Sequence, residues 1–405
     1  MSLNQKINKK PHAIVIGLDN MNGIQTARIL AKRNVPVIAI AKDPDHYCCK
    51  TKVCEKILFT DTSTEELITT LESLGPELEQ KAVLYPCTDI TVLQVSRHRE
   101  RLTDWYHVIL PPNDIVEMMM DKVRFYSFAQ ENGFPIPRTA FLRNEKDATR
   151  ASRDLNYPCI LKPPMYATSE WEQNSMMKAY LAVNPEEFMS IYHQYSKYAE
   201  MLIAQEYIEG SSRNLYSCNC YYNGTSEPVV TFVARKLRQW PPETGQSCLG
   251  EECRNDEVLN ETLNLFNHVG YKGLGYVEMK QDARNGKHYI MEPNIGRPTG
   301  RSAIAEAGGV ELIYTMYCDA LGWPLLENRI QRYGNVKWIH IRRDFQSAVY
   351  YWRRGELTLK EWWNSIRGRK AKALFSWNDL GPFIGDLTRA VRLFLIPEER
   401  KKRLF

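Results

Sequence analysis

The sequence has no long apolar run. None of its 405 residues lies in a stretch close to the roughly 18–20 apolar residues that a bilayer-spanning helix needs, which argues against a membrane-spanning protein. Residues 1–10 are polar and basic and contain no apolar signal core, so we expect no export. Charge of one sign is not in excess either, because 53 Lys and Arg face 48 Asp and Glu, and 43% of the residues are apolar. That balance excludes an intrinsically disordered chain.

Several common site patterns are also missing. No His-Glu-x-x-His zinc motif and no Ser/His/Asp arrangement is visible. Gly17 and Gly23 follow the first apolar segment, but they are not in Gly-x-Gly-x-x-Gly register, so a structural turn is favoured over a nicotinamide site.

Ten cysteines without an export signal indicate reduced thiols in a cytosolic protein. Cys218-x-Cys220 and Cys248-x4-Cys253 could form a zinc site, but the first pair lies in a predicted strand, which favours packed thiols.

The first 112 residues alternate short apolar segments with helical segments. The predicted strands are 13–18, 36–41, 56–60, 82–87 and 105–110. Helices are predicted near 24–33 and after Ser63, whose spacing to Glu66 fits a capping box. Unbroken apolar strands that alternate with helices are typical of a parallel sheet covered on both faces. We therefore predict a doubly wound α/β domain over residues 1–112.

Residues 113–330 follow a different pattern. A helix begins near Asp121 and ends before Gly133 and the Pro135–Pro137 corner. Further helices are predicted near 185–198 and 256–269. The predicted strands come mostly in hairpins and cover 157–162, 202–208, 215–222, 228–234, 275–281 and 288–293. This arrangement predicts an α+β region.

Oxygen ligands alternate along the last predicted hairpin. Glu278 lies on its first strand, and Glu292 and Asn294 lie two residues apart on its second, so the latter pair shares one face. Two carboxylates and an amide oxygen suit Mg²⁺ that holds nucleotide phosphates. The alternative is an ordinary hairpin with a solvated face. That alternative poorly explains why Glu292 is flanked by apolar residues. A three-residue loop over 284–286, with Gly286 left-handed, would place Glu278 across from Glu292, and we predict that loop.

Cations accompany this cluster in the sequence. Arg297 and Arg301 follow it in a Gly/Pro loop, where guanidinium groups could meet phosphate or carboxylate oxygens. Lys162 ends an apolar strand, where a buried ammonium must find an anion, and Lys122 opens a helix that could reach the same place. Each lysine alone would more often be a snorkelling surface residue. Together with the carboxylates they indicate phosphate oxygens in a cleft.

The segment 205–210 (QEYIEG) ends another apolar strand. Backbone groups at such an edge can pair with the rim of adenine, while Glu209 or a neighbouring side chain meets the ribose. Taken alone, the segment is only a strand end with a turn.

The order of these parts resembles the ATP-grasp superfamily, in particular its carboxylate–amine ligases. The matching elements run over residues 80–325 and are Asp121-Lys122, Gly133-x-Pro135-x-Pro137, YPCILKP, QEYIEG, Glu278 and Glu292-x-Asn294. The resemblance implies an ATP-grasp domain over 113–330, with lobes near 113–204 and 205–330. It also implies that residues 1–112 are the pre-ATP-grasp domain.

The resemblance also implies roles for single residues. The nucleotide-binding residues would be Lys122, Lys162, Lys178, Gln205, Glu206, Ile208 and Glu209. The ligands of Mg²⁺, with two ions expected, would be Glu278, Glu292 and Asn294. The catalytic candidates on the acyl-phosphate or acceptor side are Arg235, Arg297 and Arg301.

The sequence departs from the family pattern at two places. Many members carry Glu-x-Asn-x-Arg, whereas here Gly296 takes the last position and the arginine follows as Arg297. Many members also have glycines in the loop after the strand lysine, but residues 164–177 contain none.

Residues 331–405 form a basic and aromatic extension, which we predict to be helical. They carry 17 Lys and Arg against 7 Asp and Glu, whereas the rest of the chain carries 36 against 41. Aromatic residues beside cations suit a membrane headgroup layer or an anionic glycan. The alternative is that the aromatic residues pack on the protein body. No nucleic-acid module is recognisable, so nucleic acid is not expected as a partner.

These observations predict an ATP-dependent carboxylate–amine ligase that forms an amide through an acyl phosphate. The expected substrates are a small carboxylate and an amine, with an amino acid joined to an envelope glycan or peptidoglycan precursor. We also expect a homodimer in the cytoplasm or at the inner face of the membrane. Two alternatives stay open: an ATP-grasp carboxylase that uses bicarbonate, and a nucleotide-binding module without chemistry.

Overall fold

The computed structural model describes residues 10–164, 171, 177, 179–243 and 245–395. Its α-helices are α1 (Met21–Lys32), α2 (Glu66–Leu74), α3 (Asp89–Arg97), α4 (Arg99–Leu102), α5 (Asn113–Met120), α6 (Lys122–Glu131), α7 (Glu145–Asp154), α8 (Pro185–Tyr195), α9 (Asp256–His268), α10 (Ala303–Ala307), α11 (Leu312–Ala320), α12 (Ile341–Arg353), α13 (Leu359–Ile366) and α14 (Gly381–Leu395). Within these ranges, no helix is long and apolar enough to cross a lipid bilayer.

The strands form three sheets. They are β1 (Ala13–Ile16), β2 (Val37–Ala41), β3 (Lys56–Phe59), β4 (Ala82–Pro86), β5 (Tyr106–His107), β6 (Thr139–Leu142), β7 (Cys159–Lys162), β8 (Tyr180–Ala182), β9 (Leu202–Glu206), β10 (Leu215–Tyr222), β11 (Pro228–Trp240), β12 (Gln246–Glu252), β13 (Gly273–Gln281), β14 (His288–Ile295), β15 (Lys337–Ile339) and β16 (Lys370–Lys372). The sheet orders are β3-β2-β1-β4-β5, β6-β9-β7-β8 and β14-β13-β10-β11-β12-β15-β16.

The N-terminal sheet confirms the predicted doubly wound fold. Its strands are all parallel, and β1 lies between β2 and β4, so the strand order reverses between β1 and β4. Every residue of β1, β2 and β4 is buried, because helices cover both faces of a parallel sheet.

One detail of the N-terminal prediction is wrong. Ser63 and Glu66 form no capping box, because α2 begins at Glu66 and its N-cap residue, Glu65, makes no side-chain cap bond. The Ser63 N–H is taken instead by the Asp61 carboxylate at 2.9 Å. Ser63 therefore takes part in a local Asx-type turn with Asp61 instead of the capping box that its spacing to Glu66 suggested.

The two other sheets confirm the predicted α+β region. The four-stranded sheet pairs β9 antiparallel with both β6 and β7. In the seven-stranded sheet, β11 runs to Trp240, beyond the predicted end at residue 234, because it pairs antiparallel with β12.

The basic extension contains the predicted helices, but it also contains two short strands that the prediction of a helical extension did not include. Its short strands β15 and β16 join the edge of the seven-stranded sheet, where β15 pairs with β12. Trp338 on β15 is 2% exposed and belongs to the main hydrophobic cluster. A buried ion pair joins Arg238 on β11 to Asp344 on α12, with Nε 2.8 Å from Oδ1. For these residues, packing on the protein body is confirmed.

Contacts divide the chain into two compact units. The first unit contains residues up to Asn113, Cys218–Tyr276 and residues from Ile295 onward, and the second contains Asp114–Ser217 and Val277–Asn294. The three domains predicted from the sequence stay a prediction, since compact units defined by contacts need not coincide with domains.

Candidate active site

Lys162 lies at the centre of a polar cluster in the second unit. Its ammonium nitrogen lies 3.1 Å from Oε1 of Gln205 and 3.4 Å from the hydroxyl oxygen of Tyr126. Gln205 is fully buried on β9 and donates through Nε2 to the Thr139 hydroxyl at 2.9 Å. The amide is therefore fixed with its oxygen toward the lysine, because its nitrogen is already used.

The Lys162 ammonium is short of anions. Burial lowers the pKa of Lys162 from 10.5 to about 8, and among the described residues only the Glu292 carboxylate acts in the opposite direction. Polar groups such as Gln205 and Tyr126 satisfy the donors of the ammonium but do not neutralise its charge. A phosphate group would supply the missing negative charge.

Tyr126 connects this cluster to α6. It is 1% exposed, and its hydroxyl donates to the Met291 carbonyl on β14 at 2.8 Å. Lys122 opens the same helix one turn earlier, and residues four apart lie on the same helix face. The helix begins there because the Asp121 side chain caps the Arg124 N–H at 2.9 Å. Lys122 is therefore placed on the helix face that carries Tyr126.

The strand end after Gln205 has the features expected of a nucleotide hinge. The Glu206 N–H donates to Arg138 O, and the Tyr207 N–H donates to Pro158 O, each at 2.9 Å. Ile208 is 4% exposed, and its N–H makes no hydrogen bond to another described residue. A buried backbone donor is rarely left unpaired, so a ring nitrogen of a bound base would fit there.

The β13–β14 turn fixes this hinge from the other side. The Arg284 side chain donates to Tyr207 O at 3.2 Å and forms a two-point ion pair with Asp282, with Nη2 2.7 Å from Oδ2. The Ala283 N–H donates to Glu209 O at 3.0 Å. The Lys280 ammonium lies 4.7 Å from the Tyr207 ring centre. The two hydrogen bonds hold the backbone of 207–209, whereas Lys280 meets the Tyr207 ring and Arg284 Nη1 lies 3.8 Å from Oε1 of Glu209.

The predicted three-residue loop of this hairpin is wrong. The Asp282 N–H donates to Lys287 O and the Gly286 N–H donates to Asp282 O, both at 2.8 Å, which closes a four-residue loop over 283–286. Gly286 is left-handed, with φ +75°, as expected. With an even loop, regular alternation would pair Glu278 with Met291 rather than with Glu292.

The alternation of β14 is interrupted, however, where the candidate metal ligands lie. His288 and Ile290 are buried, residues 291–293 are all partly exposed, and Asn294 is buried again. The Glu292 carboxylate acts electrostatically on both Lys162 and Tyr126. Glu292 therefore lies on the face of β14 toward Lys162. The interrupted alternation of β14 accounts for this position, whereas the loop length does not.

Arg297 occupies a polar position in the first unit. Its guanidinium donates to the Tyr276 hydroxyl at 3.0 Å and to both carboxylate oxygens of Asp89. Asp89 begins α3 at the carboxyl end of β4, after the capping residue Thr88. In open parallel sheets, ligands bind where the strand order reverses, which here is between β1 and β4. Arg297 therefore lies at the expected ligand-binding edge of the N-terminal sheet.

The two other candidate arginines both flank β12. Arg235 pairs with Glu251 across the β11–β12 ladder, with Nη2 2.7 Å from Oε1. Arg301 is 5% exposed, and its Nη1 lies 3.4 Å from the Ser247 hydroxyl oxygen. It passes over Gly250, where a β-carbon would lie 3.4 Å from the same nitrogen. Lys178 and most of the 164–177 loop lie outside the described residues.

The cysteine arrangement favours packed thiols. Cys218 and Cys220 are buried on one face of β10, with their sulfur atoms 3.7 Å apart. Among the described residues, no group of three or more His, Cys, Asp or Glu could hold a metal ion.

No family model matches this chain. The D-aspartate ligase of Enterococcus faecium (strain Aus0004) is 23% identical over 234 residues, which is 55% of this chain and 55% of that protein. The D-alanine–D-alanine ligase of Pseudomonas putida (strain GB-1) is 24% identical over 182 residues, which is 44% of this chain and 54% of that protein. The chain thus spans about half the length of the curated relatives it matches.

Solved structures match over more of the chain. N5-carboxyaminoimidazole synthetase from Staphylococcus aureus superposes with a TM-score of 0.62 at 15% identity, over 80% of this chain and 81% of that chain. The chain has the fold of the ATP-grasp enzymes. The biotin carboxylase domain of the Hydrogenobacter thermophilus 2-oxoglutarate carboxylase, a dimer with MgADP and bicarbonate, matches with a TM-score of 0.58 at 15% identity, over 78% and 70% of the two chains.

The residues of this ATP-grasp chain fit a nucleotide with Mg²⁺. Glu278, Glu292 and Asn294 lie on neighbouring strands and offer the oxygen donors that Mg²⁺ prefers. Three such donors leave coordination positions for phosphate oxygens, and a phosphate would favour the charged form of the Lys162 ammonium, whose pKa burial lowers to about 8. The number of ions stays a prediction.

Sequence reasoning missed several residues that support this site. Tyr126 and Thr139 fix Lys162 and Gln205, and Arg284 holds the hinge. For Tyr126 a signal was present, namely its four-residue spacing from Lys122 on one helix. For Arg284 none was present, because its partner lies 77 residues away in the chain.

Proposed function

We propose that this ATP-grasp chain is an ATP- and Mg²⁺-dependent carboxylate–amine ligase. The observation that carries the proposal is the partly buried Lys162 ammonium, which contacts Gln205 and Tyr126; among the described residues, the Glu292 carboxylate is the one that raises its pKa. Burial lowers the pKa of this ammonium to about 8, and a bound phosphate would favour its charged form. The two curated relatives are named ligases, which supports the reaction class.

The residues proposed to bind the nucleotide all lie in the second unit. The base would meet the Ile208 N–H, which makes no hydrogen bond to another described residue, at the hinge whose backbone Arg284 holds. The phosphates would lie against Lys162, with Lys122 on the adjoining face of α6. Glu206 is engaged by Asn156 through two hydrogen bonds of 2.8 and 2.9 Å, so we assign it to shaping the hinge. Glu209 is the candidate for the ribose hydroxyls.

The proposed reaction has two steps. A carboxylate oxygen of the first substrate attacks the terminal phosphorus of ATP, and the bond to ADP breaks, which yields an acyl phosphate. The amine then attacks the acyl carbon, the carbon–oxygen bond to phosphate breaks, and the amine proton passes to phosphate or water. Bound Mg²⁺, held by Glu278, Glu292 and Asn294, would neutralise the phosphates. Lys162 would keep them in place. Within the first unit, Arg297, which Asp89 and Tyr276 orient, stays the candidate that the family resemblance gives for steadying the acyl phosphate.

The proposed substrates are an amino acid, which supplies the carboxylate, and an amine on an envelope glycan or peptidoglycan precursor. The named D-aspartate and D-alanine–D-alanine ligases support an amino-acid carboxylate. A homodimer is part of this proposal, and the dimeric biotin carboxylase domain supports it.

The proposal is tested by ADP release. Purified protein is incubated with ATP, Mg²⁺ and single amino acids of both configurations, with and without amine acceptors such as amino sugars and peptidoglycan precursors. We expect ADP and amide in equal amounts for at least one pair, and Lys162→Met should remove the release. The matched control is Lys146→Met, an exposed lysine on α7 of the same unit. Absence of amino-acid-dependent ADP release over the whole panel would contradict the proposal.

A second candidate is a carboxylase that activates bicarbonate. It is favoured by the structural matches, which cover more of the chain than the curated ligases do and include a complex with bicarbonate. Bicarbonate-dependent ADP release without any amino acid would support this candidate and exclude the ligase.

A further inference from the structure

The extension exposes an unusual number of large apolar side chains. On α12, Phe345 and Trp352 are 56% and 54% exposed, and on α13, Leu359 and Trp363 are 67% and 59% exposed. We call these four residues the tryptophan face. The helices α12 and α13 enclose an apolar groove beside it, lined by Phe345, Val349, Trp352, Leu357, Leu359 and Trp362. A protein surface rarely carries such a patch without a partner.

This face is rigidly held rather than loosely attached. The buried Asp344 carboxylate accepts from Arg238 on β11 and, at 3.0 Å, from the indole N–H of Trp362 on α13. Arg238 also donates to the Ser365 hydroxyl at 2.8 Å. Thr358 and Glu361 form a capping box at the start of α13. These contacts hold α12 and α13 on the protein body, so the aromatic side chains are exposed in a fixed position.

The surroundings of the tryptophan face are basic. Residues 341–372 contain nine Lys and Arg against three Asp and Glu, and one of the three acids, Asp344, is buried in the ion pair. A second copy of the chain is a poor occupant, because a symmetric contact would bring these cations against one another. An anionic lipid surface offers negative headgroups for the cations and an apolar layer for the aromatic rings.

We propose that the tryptophan face docks on an anionic lipid surface. Phe345, Trp352, Leu359 and Trp363 enter the boundary between headgroups and acyl chains, while the exposed cations Arg353 and Lys360 on the same helices meet the lipid phosphates. The inference rests only on the first unit and does not depend on the ligase proposal. Docking would bring the protein to lipid-linked acceptors, if its substrate is one of them.

The test uses the full chain and vesicles, without ATP or substrate. Protein is sedimented with vesicles of phosphatidylcholine alone and with vesicles that also contain phosphatidylglycerol, at low and at high salt. We expect binding only with phosphatidylglycerol, weakened by salt because exposed charges are screened. Tryptophan emission should shift to the blue on binding.

Two variants and one matched control localise the contact. Trp352→Glu and Leu359→Glu should each weaken binding about tenfold or more, because each removes a large apolar side chain from the lipid contact. Phe59→Glu places the same charge at a residue of similar exposure, 51%, on β3 and should bind like the parent. All three positions are exposed, so thermal unfolding should not change.

Three results would overturn the proposal. One is the absence of binding to phosphatidylglycerol vesicles at low salt. Another is equal binding by the two face variants and Phe59→Glu, which would leave only unspecific charge attraction. The third is self-association of the parent that Trp352→Glu abolishes, with no lipid binding, which would mean that a second copy covers the face.

Discussion

Replacing Lys162 with methionine should weaken nucleotide binding and at the same time leave the fold as stable as before, or more stable. Methionine keeps the length of the lysine stem but removes the charge. The partly buried ammonium contacts Gln205 and Tyr126, and the Glu292 carboxylate acts on it electrostatically. The two effects have opposite signs because the charge is unfavourable in the empty site and favourable when a phosphate is bound.

The magnitudes follow from the structure. A charge-assisted contact to phosphate is worth about 1.5–3 kcal/mol, so ATP affinity should fall by roughly 10- to 150-fold. Lowering the Lys162 pKa from 10.5 to about 8 costs the charged form about 3 kcal/mol in the folded state. Methionine avoids this cost but leaves the Gln205 oxygen without its donor, at a cost of about 1 kcal/mol. We therefore expect a net gain in stability of up to about 2 kcal/mol near neutral pH.

The pH dependence gives a further check. Between about pH 8 and pH 10.5, unfolded Lys162 binds a proton that the folded residue does not, so the contribution of Lys162 to folding stability rises with pH across that window. The stability difference between Lys162→Met and the parent should be largest below pH 8 and should shrink as pH rises. Nucleotide binding near pH 8 should take up protons, since a phosphate restores the charge of the lysine.

Isothermal titration calorimetry with ATP, repeated in buffers of different ionisation enthalpy, measures affinity and proton uptake together. Thermal unfolding over the pH range measures stability. Lys146→Met is the control, with affinity and stability expected to match the parent. If Lys162→Met bound ATP as tightly as the parent, the assignment of this cluster to the nucleotide phosphates would be refuted.

Three other substitutions have definite expected outcomes. Glu292→Gln should lower ADP release about 100-fold or more with little change in thermal unfolding, and it should also lower the pKa of Lys162, because the carboxylate now raises it. Arg284→Met should weaken nucleotide binding, because it frees the 207–209 backbone. Since Arg284 lowers the pKa of buried Asp282, the substitution should also remove folding stability that the parent has at neutral pH and loses on acidification. Calorimetry with acid titration measures both effects, and Arg150→Met, at a side chain that is 75% exposed, is the control. Asp344→Asn should destabilise the first unit by about 3–5 kcal/mol in denaturant unfolding, because it leaves buried Arg238 without its anion.

The parts of the fold that could be predicted are those that depend on local pattern. The N-terminal sheet was predictable because β1, β2 and β4 are short apolar runs separated by helices. Lys162 was identifiable because a charged residue at the end of an apolar strand usually has an oppositely charged partner or ligand.

The rest depends on contacts between distant residues. Strands β15 and β16 have three residues each and form only because the edge of β12 is available, so no local periodicity marks them. Arg297 finds Asp89 across 208 residues, and nothing in either segment indicates the partner. The β13–β14 loop is a third case. Gly286 correctly indicated the position of the turn, but the loop has four residues rather than the predicted three, and this one residue changes which residues pair across the hairpin. The roles assigned to the site residues stay predictions.

The central claim is that the chain transfers phosphate from ATP to a substrate carboxylate, and hydroxylamine tests this claim most directly. In place of the natural amine, hydroxylamine attacks an acyl phosphate and yields a hydroxamate, whatever the true acceptor is. With ATP, Mg²⁺ and the panel of amino acids, the account predicts one hydroxamate for each ADP released by the parent and almost none by Lys162→Met. ADP release that requires bicarbonate and gives no hydroxamate would contradict it, as would the absence of hydroxamate with every amino acid.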